Sequence, residues 1–282
     1  MDERAALVEI AERAARAAGA LVSRDRPERL EVLRTKSSAT DVVTAMDTAS
    51  EQLLVRVLRE ARPQDGVYGE EGGAAGGTGR VTWVVDPIDG TVNYLYGLPS
   101  YAISVAAVVG AGPAGSRPDP ATWTAVAGCV HEPVSGRTWT AVRGGGARLD
   151  GTPLPGPADV ELGEALVGTG FGYTPQRRAA QARVLAAVLP LVRDVRRSGV
   201  ASLDLCAVAT GWLDAYYERG LQPWDHAAGA LVAAEAGAVV RGLDAGDPAG
   251  ETFCLAAAPG LAQRLGDLIA ALDPLAEEPA PA

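Results

Sequence analysis

The stretch Trp83-Val-Val-Asp86-Pro-Ile-Asp89-Gly-Thr91 constrains this chain more than any other. It grows out of a β-branched run, Val81 to Val85, that reads as a short buried strand, and it breaks at Pro87 and Gly90. The strand delivers one carboxylate at its end, and the proline-glycine turn presents a second three residues later, so both can face one point. Two unit charges about 4 Å apart repel by roughly 4 kcal/mol at a moderate effective dielectric, so such a pair asks for a cation or a shared proton. The competing reading is an ordinary Asp-rich turn, since Asp, Pro and Gly are standard turn residues.

The rest of the chain supplies the layers that would bury such a strand. Leu7, Ile10, Ala14, Ala17 and Leu21 recur at helical spacing over residues 2 to 22, and a second helix fits Ala45 to Arg62 with Pro63 closing it. Tyr101 to Gly110, Thr122 to His131 and Thr138 to Arg143 read as strands, and Asp150-Gly151 as a hairpin turn. The first half is thus helices plus a mostly antiparallel sheet. After Pro157, strands and helices alternate: Ala165 to Gly168, a helix from about Arg177 to Val192, Val195 to Arg197, a helix from Ser202 to Gly211, Leu213 to Glu218, then helices from Asp225 to Ala236 and Pro259 to Leu272. That alternation argues for layered α/β packing. At 282 residues the chain is one large domain or two closely packed halves, 1–146 and 147–272, with a frayed tail over 273–282.

Twenty-five basic against thirty-five acidic side chains leave a net charge of −10, a field that opposes nucleic acid and anionic lipid. No apolar run reaches the length of a membrane span. Cys129, Cys206 and Cys254 lie far apart and form neither a disulfide framework nor a Cys-x-x-Cys site, which suits a reducing cytoplasm. Of the basic residues only Lys36 is a lysine. This is either a composition bias or the mark of a site that needs a compact ammonium.

Further acids sit at other element ends. Glu70 and Glu71 follow Val67-Tyr68-Gly69, Asp47 lies in the first turn of a helix, and Asp225 is placed to cap another. Each has a bland reading as a solvated pair or a cap. Together they form an oxygen-rich donor set with no neighbouring cysteine, which suits a hard ion such as Mg²⁺ rather than zinc. His226, His131 and the Arg193/Arg196/Arg197 cluster read as solvent-side residues, and Gly168-Thr-Gly170-Phe-Gly172 as a strand-to-loop turn near the site.

Lys36-Ser37, Asp41-Val-Val-Thr44 with Asp47, Gly69-Glu70-Glu71, Asp86 to Thr91, and Trp224-Asp225 with Glu235-Ala-Gly237 together resemble the inositol monophosphatase family, in order and from the first helix to about residue 270. The resemblance is nearest to the bacterial inositol-1-monophosphatases. It implies a layered αβαβα sandwich and a cytoplasmic, lithium-sensitive, Mg²⁺-dependent phosphomonoesterase, usually a homodimer, using two to three ions. By motif match, Glu70, Asp86 and the Ile88 carbonyl would hold a first ion, and Asp86, Asp89 and Asp225 a second. Thr91 with Asp47 would activate the attacking water, and Lys36 would stand near the metals. Gly90 and Thr91 amides would meet the phosphate, while Asp89, Ala201, Glu218 and Asp225 would contact the alcohol, the segments Arg197 to Ala201 and Tyr216 to Gly220 resembling the family's inositol-facing stretches.

Val200 departs from the pattern, standing where the family commonly has Ser or Thr. Glu218 also has a plainer reading as a strand-end salt bridge. The resemblance points first to inositol 1-phosphate or a similar small polyol phosphate. It leaves open histidinol phosphate, fructose 1,6-bisphosphate or a 3′-phosphoadenosine nucleotide on the same centre, and a regulatory partner-binding role such as some bacterial relatives have.

Overall fold

The computed structural model describes residues 3–26, 32–35, 42–72, 76–110 and 121–276. Lys36, Ser37 and Asp41, the connection 111–120 and the end of the tail lie outside the described residues.

Chain order begins with α1 (Glu3–Arg24), a two-stranded β1 (Val32–Thr35) and β2 (Val42–Thr44), and α2 (Ala45–Ala61). Then come β3 (Gly66–Gly69), β4 (Val81–Asp89), α3 (Thr91–Tyr96), β5 (Ala102–Val109), β6 (Thr124–His131), β7 (Thr138–Val142), β8 (Gly146–Leu149) and β9 (Thr152–Pro153). These strands form a seven-stranded sheet in sequential order, antiparallel except for the parallel β3–β4 pair. The expected hairpin turn joins β8 and β9, with Asp150 and Gly151 both at positive φ.

The remainder supplies β10 (Leu166–Thr169), α4 (Pro175–Val188), β11 (Asp194–Arg196), α5 (Ala201–Thr210), β12 (Ala215–Glu218), α6 (Pro223–Glu235), β13 (Val239–Arg241), β14 (Cys254–Ala257) and α7 (Pro259–Ala271). Its strands make a five-stranded mixed sheet in the order β11-β10-β12-β14-β13. The helix expected to run to Val192 stops at Val188 and tightens into a 3₁₀ turn over Leu189–Leu191, where Pro190 cannot donate the next α-helical bond.

Alternation along the large sheet decides the layering. Trp83, Val85, Ile103, Val105 and Cys129 pack with Leu7, Val22 and Leu54 of α1 and α2. Val84, Ala106, Val108 and Trp139 turn to the other face and pack with Leu205, Val208, Leu231 and Val232 of α5 and α6. Val167, Tyr217, Leu255, Leu261 and Leu265 bury the outer face of the smaller sheet under α4 and α7. The result is the αβαβα sandwich, with α5 and α6 held between the two sheets.

Close approach of α6 to the large sheet depends on Gly128 of β6, where an added Cβ would stand 3.2 Å from the Ala228 Cα. Gly128→Val is expected to lower stability by about 1–3 kcal/mol through overpacking, read as a shifted urea midpoint with an unchanged slope.

Two histidine expectations are overturned. His131 is 7% exposed, its Nδ1 against the Thr138 hydroxyl and Arg137 carbonyl, and His226 is 2% exposed beside Trp123. Burial lowers the pKa of both, for His226 to about 4, so this buried ring is neutral at neutral pH.

Candidate active site

A regular strand would point Asp86 and Asp89, three residues apart, to opposite faces. The β4–β5 register prevents this: Asp86 pairs with Ser104 and Asp89 with Ala102, so one extra residue is inserted on β4. The bulge, with Pro87 inside it, brings both acids to the same side. Asp86 is 1% and Asp89 8% exposed.

Glu70 joins them from the turn after β3, Asp225 from α6 and Glu218 from the end of β12. With Ile88, Gly90, Thr91 and Ala201 they line one cavity of about 410 Å³. Asp47 sits behind Thr91 and does not line it, and Lys36 is outside the described residues.

Asp47 and Asp225 are held by the same device. Asp47 is the third residue of α2 in a capping box, its Oδ2 accepting from the Thr44 amide at 2.8 Å and hydroxyl at 2.6 Å. Its Oδ1 is left for the Thr91 hydroxyl at 3.1 Å. Asp225 is the third residue of α6 rather than its N-cap: that helix begins two residues earlier, at Pro223, with Gln222 as the cap and the Gln222 amide 2.7 Å from Asp225 Oδ2. Thr91 Oγ1 is also 3.0 Å from the Ile88 carbonyl, so its one proton serves either Asp47 or Ile88.

Asp89 Oδ2 accepts from the Ser202 amide at 2.8 Å and hydroxyl at 2.6 Å, and the Ala201 amide also bonds this carboxylate. The start of α5 thus holds Asp89 in place. Glu218 accepts from the Tyr216 hydroxyl at 2.6 Å. Val200 is buried with Cγ2 against Gly90, which lies at φ 91°, so neither the space nor the backbone there admits a side chain.

Electrostatics pull one way. Burial raises the pKa of Asp86, and Glu70, Asp89 and Asp225 add to it; the Glu70 carboxyl is also within hydrogen-bond reach of Asp86. Burial raises Asp225, with Asp89 and Glu70 contributing. It carries Asp89 to about 6 against the pull of Ser202, and Glu218 to about 7 against the Tyr216 hydroxyl. Asp47 is raised by burial too. Asp204, behind the cavity on α5 with its Oδ2 2.7 Å from the Ser198 hydroxyl, is pushed by burial to about 7. Arg197, read both as part of a solvated basic cluster and as the start of an inositol-facing segment, lines the cavity, and its charge opposes these rises at Asp89, Asp204 and Glu218.

Such a set is stable only with shared protons or a cation. No three His, Cys, Asp or Glu side chains among the described residues already stand as a closed cage for one ion. Asp86 Oδ1, Asp89 Oδ2 and Asp225 Oδ2 each accept bonds from the protein. The donor chemistry nevertheless fits a hard divalent cation: desolvated carboxylates from three elements and a turn, crowded enough to raise one another's pKa.

Residues 3–275 match the model of the inositol monophosphatase family. The chain belongs to that family. That family is metal-dependent. Inositol-1-monophosphatase SuhB of Mycobacterium tuberculosis (strain H37Rv) is 49% identical over 243 residues, 83% of this chain and 79% of that protein. A solved structure of Mycobacterium tuberculosis SuhB superposes with a TM-score of 0.79 at 44% identity, covering 98% of this chain and all of the other. The Nus factor SuhB of Pseudomonas aeruginosa is 41% identical over 241 residues, 83% of this chain and 84% of that protein. No helix among the described residues is long and apolar enough to cross a membrane.

Neither Ser202 nor Asp204 is marked as a site residue by the sequence. Ser202 lies 113 residues from Asp89, and nothing local signals the pairing. Tyr216 precedes Glu218 by two on β12, so the two share a face of the strand.

Proposed function

We propose that this member of the inositol monophosphatase family hydrolyses inositol 1-phosphate or a similarly small polyol phosphate to the alcohol and phosphate, with Mg²⁺ as cofactor. The observation that carries the reading is the bulged β4, which sets Asp86 and Asp89 side by side in a cavity shared with Glu70 and Asp225. Glu70, Asp86 and the Ile88 carbonyl would hold one ion and Asp86, Asp89 and Asp225 another, with a third weaker ion at Glu70. When bound, such ions neutralise phosphoryl oxygens and lower the pKa of water.

The chain's own residues do the rest. Thr91 Oγ1 accepts a hydrogen bond from the attacking water while donating to Asp47 Oδ1, and Asp47, kept a better base than an exposed acid by burial, draws the proton away. Gly90 and Thr91 at the cavity wall would present amides to the phosphate. Glu218, Asp89 and Asp225 would accept from alcohol hydroxyls, and Ala201 would shape the floor while its amide holds Asp89. Lys36 would stand beside the metals. Transfer is directly to water, with no phosphoenzyme. A cytoplasmic homodimer is the expected form, with Li⁺ as inhibitor.

The test is phosphate release by purified protein from inositol 1-phosphate, histidinol phosphate, fructose 1,6-bisphosphate and 3′-phosphoadenosine nucleotide, with Mg²⁺ and after exhaustive chelation. Release is expected to be fastest from inositol 1-phosphate and to fall at least about 10²-fold on chelation. Full turnover without divalent ions would overturn the reading. The 41% identity to a relative named as a Nus factor favours a second reading, binding to a transcription complex. A cellular phenotype that survives loss of phosphate release would support it.

A further inference from the structure

We propose that Glu51 is a positioning residue that fixes the Glu70 turn for cation binding; this rests on the reading of Glu70 as a metal ligand. Asp86 and Asp89 lie on a strand and Asp225 on a helix, but Glu70 follows the last residue of β3 and sits on a turn. Groups on turns hold their geometry less well than groups on regular elements unless something anchors them.

Glu51 provides that anchor. It stands one helical turn after Asp47 on α2, so the two share a face, and both are buried, Asp47 at 0% and Glu51 at 5% exposure. Its Oε2 accepts from the Glu71 amide at 2.8 Å, immediately beyond Glu70. On the near side of Glu70, the Glu51 carboxylate occupies the space that a Cβ at Gly69 would need. The backbone is therefore gripped on both sides of Glu70 by one acid, and the Glu70 carboxyl reaches Asp86 from there. The same face of α2 carries Asp47 to the Thr91 hydroxyl. One helix thus sets both the hydroxyl assigned to the water and the only donor borne on a turn.

Titration calorimetry of Mg²⁺ into metal-free protein tests this, together with hydrogen exchange at the Glu71 amide. Glu51→Ala is expected to weaken Mg²⁺ binding about 10–100-fold, the range for lost supporting contacts. Its kcat at saturating Mg²⁺ should stay within about threefold, and Glu71 amide exchange should accelerate. Glu51→Gln keeps an acceptor oxygen and should restore both binding and protection. Gly69→Ala should weaken Mg²⁺ binding in the wild-type background but add little to Glu51→Ala, which vacates the contested space. Wild-type Mg²⁺ affinity in folded Glu51→Ala, or Glu51→Gln as impaired as Glu51→Ala, would overturn the role. If Glu51→Ala does not fold, Glu51→Gln and Gly69→Ala decide it. A wild-type protein that neither binds Mg²⁺ nor releases phosphate would instead remove the functional reading, and this role with it.

Discussion

Asp89→Asn should abolish phosphate release, by at least about 10³-fold, the order of loss when a preorganised charge-stabilising group is removed. The same change should make the metal-free protein more stable. The amide oxygen of Asn can keep the bonds from Ser202, while the charge that repels Asp86 and Asp225 disappears. Holding the Asp89 pKa at about 6 against an ordinary 3.8 corresponds to about 3 kcal/mol at pH 8. A gain of about 2 kcal/mol, or roughly 4 °C in Tm, is therefore expected in the presence of a chelator. A variant that is both inactive and destabilised would mean that Asp89 belongs to the framework rather than to a cation site.

The second large effect is a pH dependence that metal should soften. Asp204 and Glu218 are carried to about 7 and Asp89 to about 6, so the folded chain retains protons that the unfolded chain releases at lower pH. Unfolding then releases protons, and stability falls as pH rises through the window from about 4 to about 7. Between pH 5 and pH 8 the metal-free protein should lose on the order of 5 kcal/mol, measured by denaturant unfolding with a chelator present. Saturating Mg²⁺ should remove the Asp89 share of that slope. Asp204 does not line the cavity, so its share should remain with Mg²⁺ and vanish in Asp204→Asn. Equal stability of the metal-free protein at both pH values would refute the picture of crowded, ion-seeking acids.

Local periodicity carried most of the architecture. The expected second helix, Ala45 to Arg62, differs by one residue from α2, because Thr44 and Asp47 form a cap within four residues and Pro63 stops the other end. The expected strand Val81 to Val85 was four residues short, because Pro87 reads as a terminator, whereas here it sits in a bulge and β4 continues to Asp89. That extension is what makes the two acids neighbours. Asp225 read as an N-cap because Asp is a strong capping residue, yet Pro223 suits the first helical turn and shifts the start.

Contacts across the chain were not legible. Glu51 is buried against the Glu70 turn, and in the sequence only its spacing of four from Asp47 marks it as sharing that face. His226 and His131 looked exposed because their burial comes from the packing of α6 and β6 between layers, which no local pattern records. The family motifs named the acids in the cavity but not the Ser202 hydroxyl that holds Asp89.

The placement of α6 bears on how the molecule is made. Asp225 and Glu218 are among the last donors to be synthesised, and the helix bearing Asp225 must slide between two sheets, the second of which closes only when β14 arrives. A nascent chain on the ribosome can therefore assemble the whole seven-stranded sheet and still be inert. Until α6 is made, Asp86 and Asp89 have no Asp225 across from them.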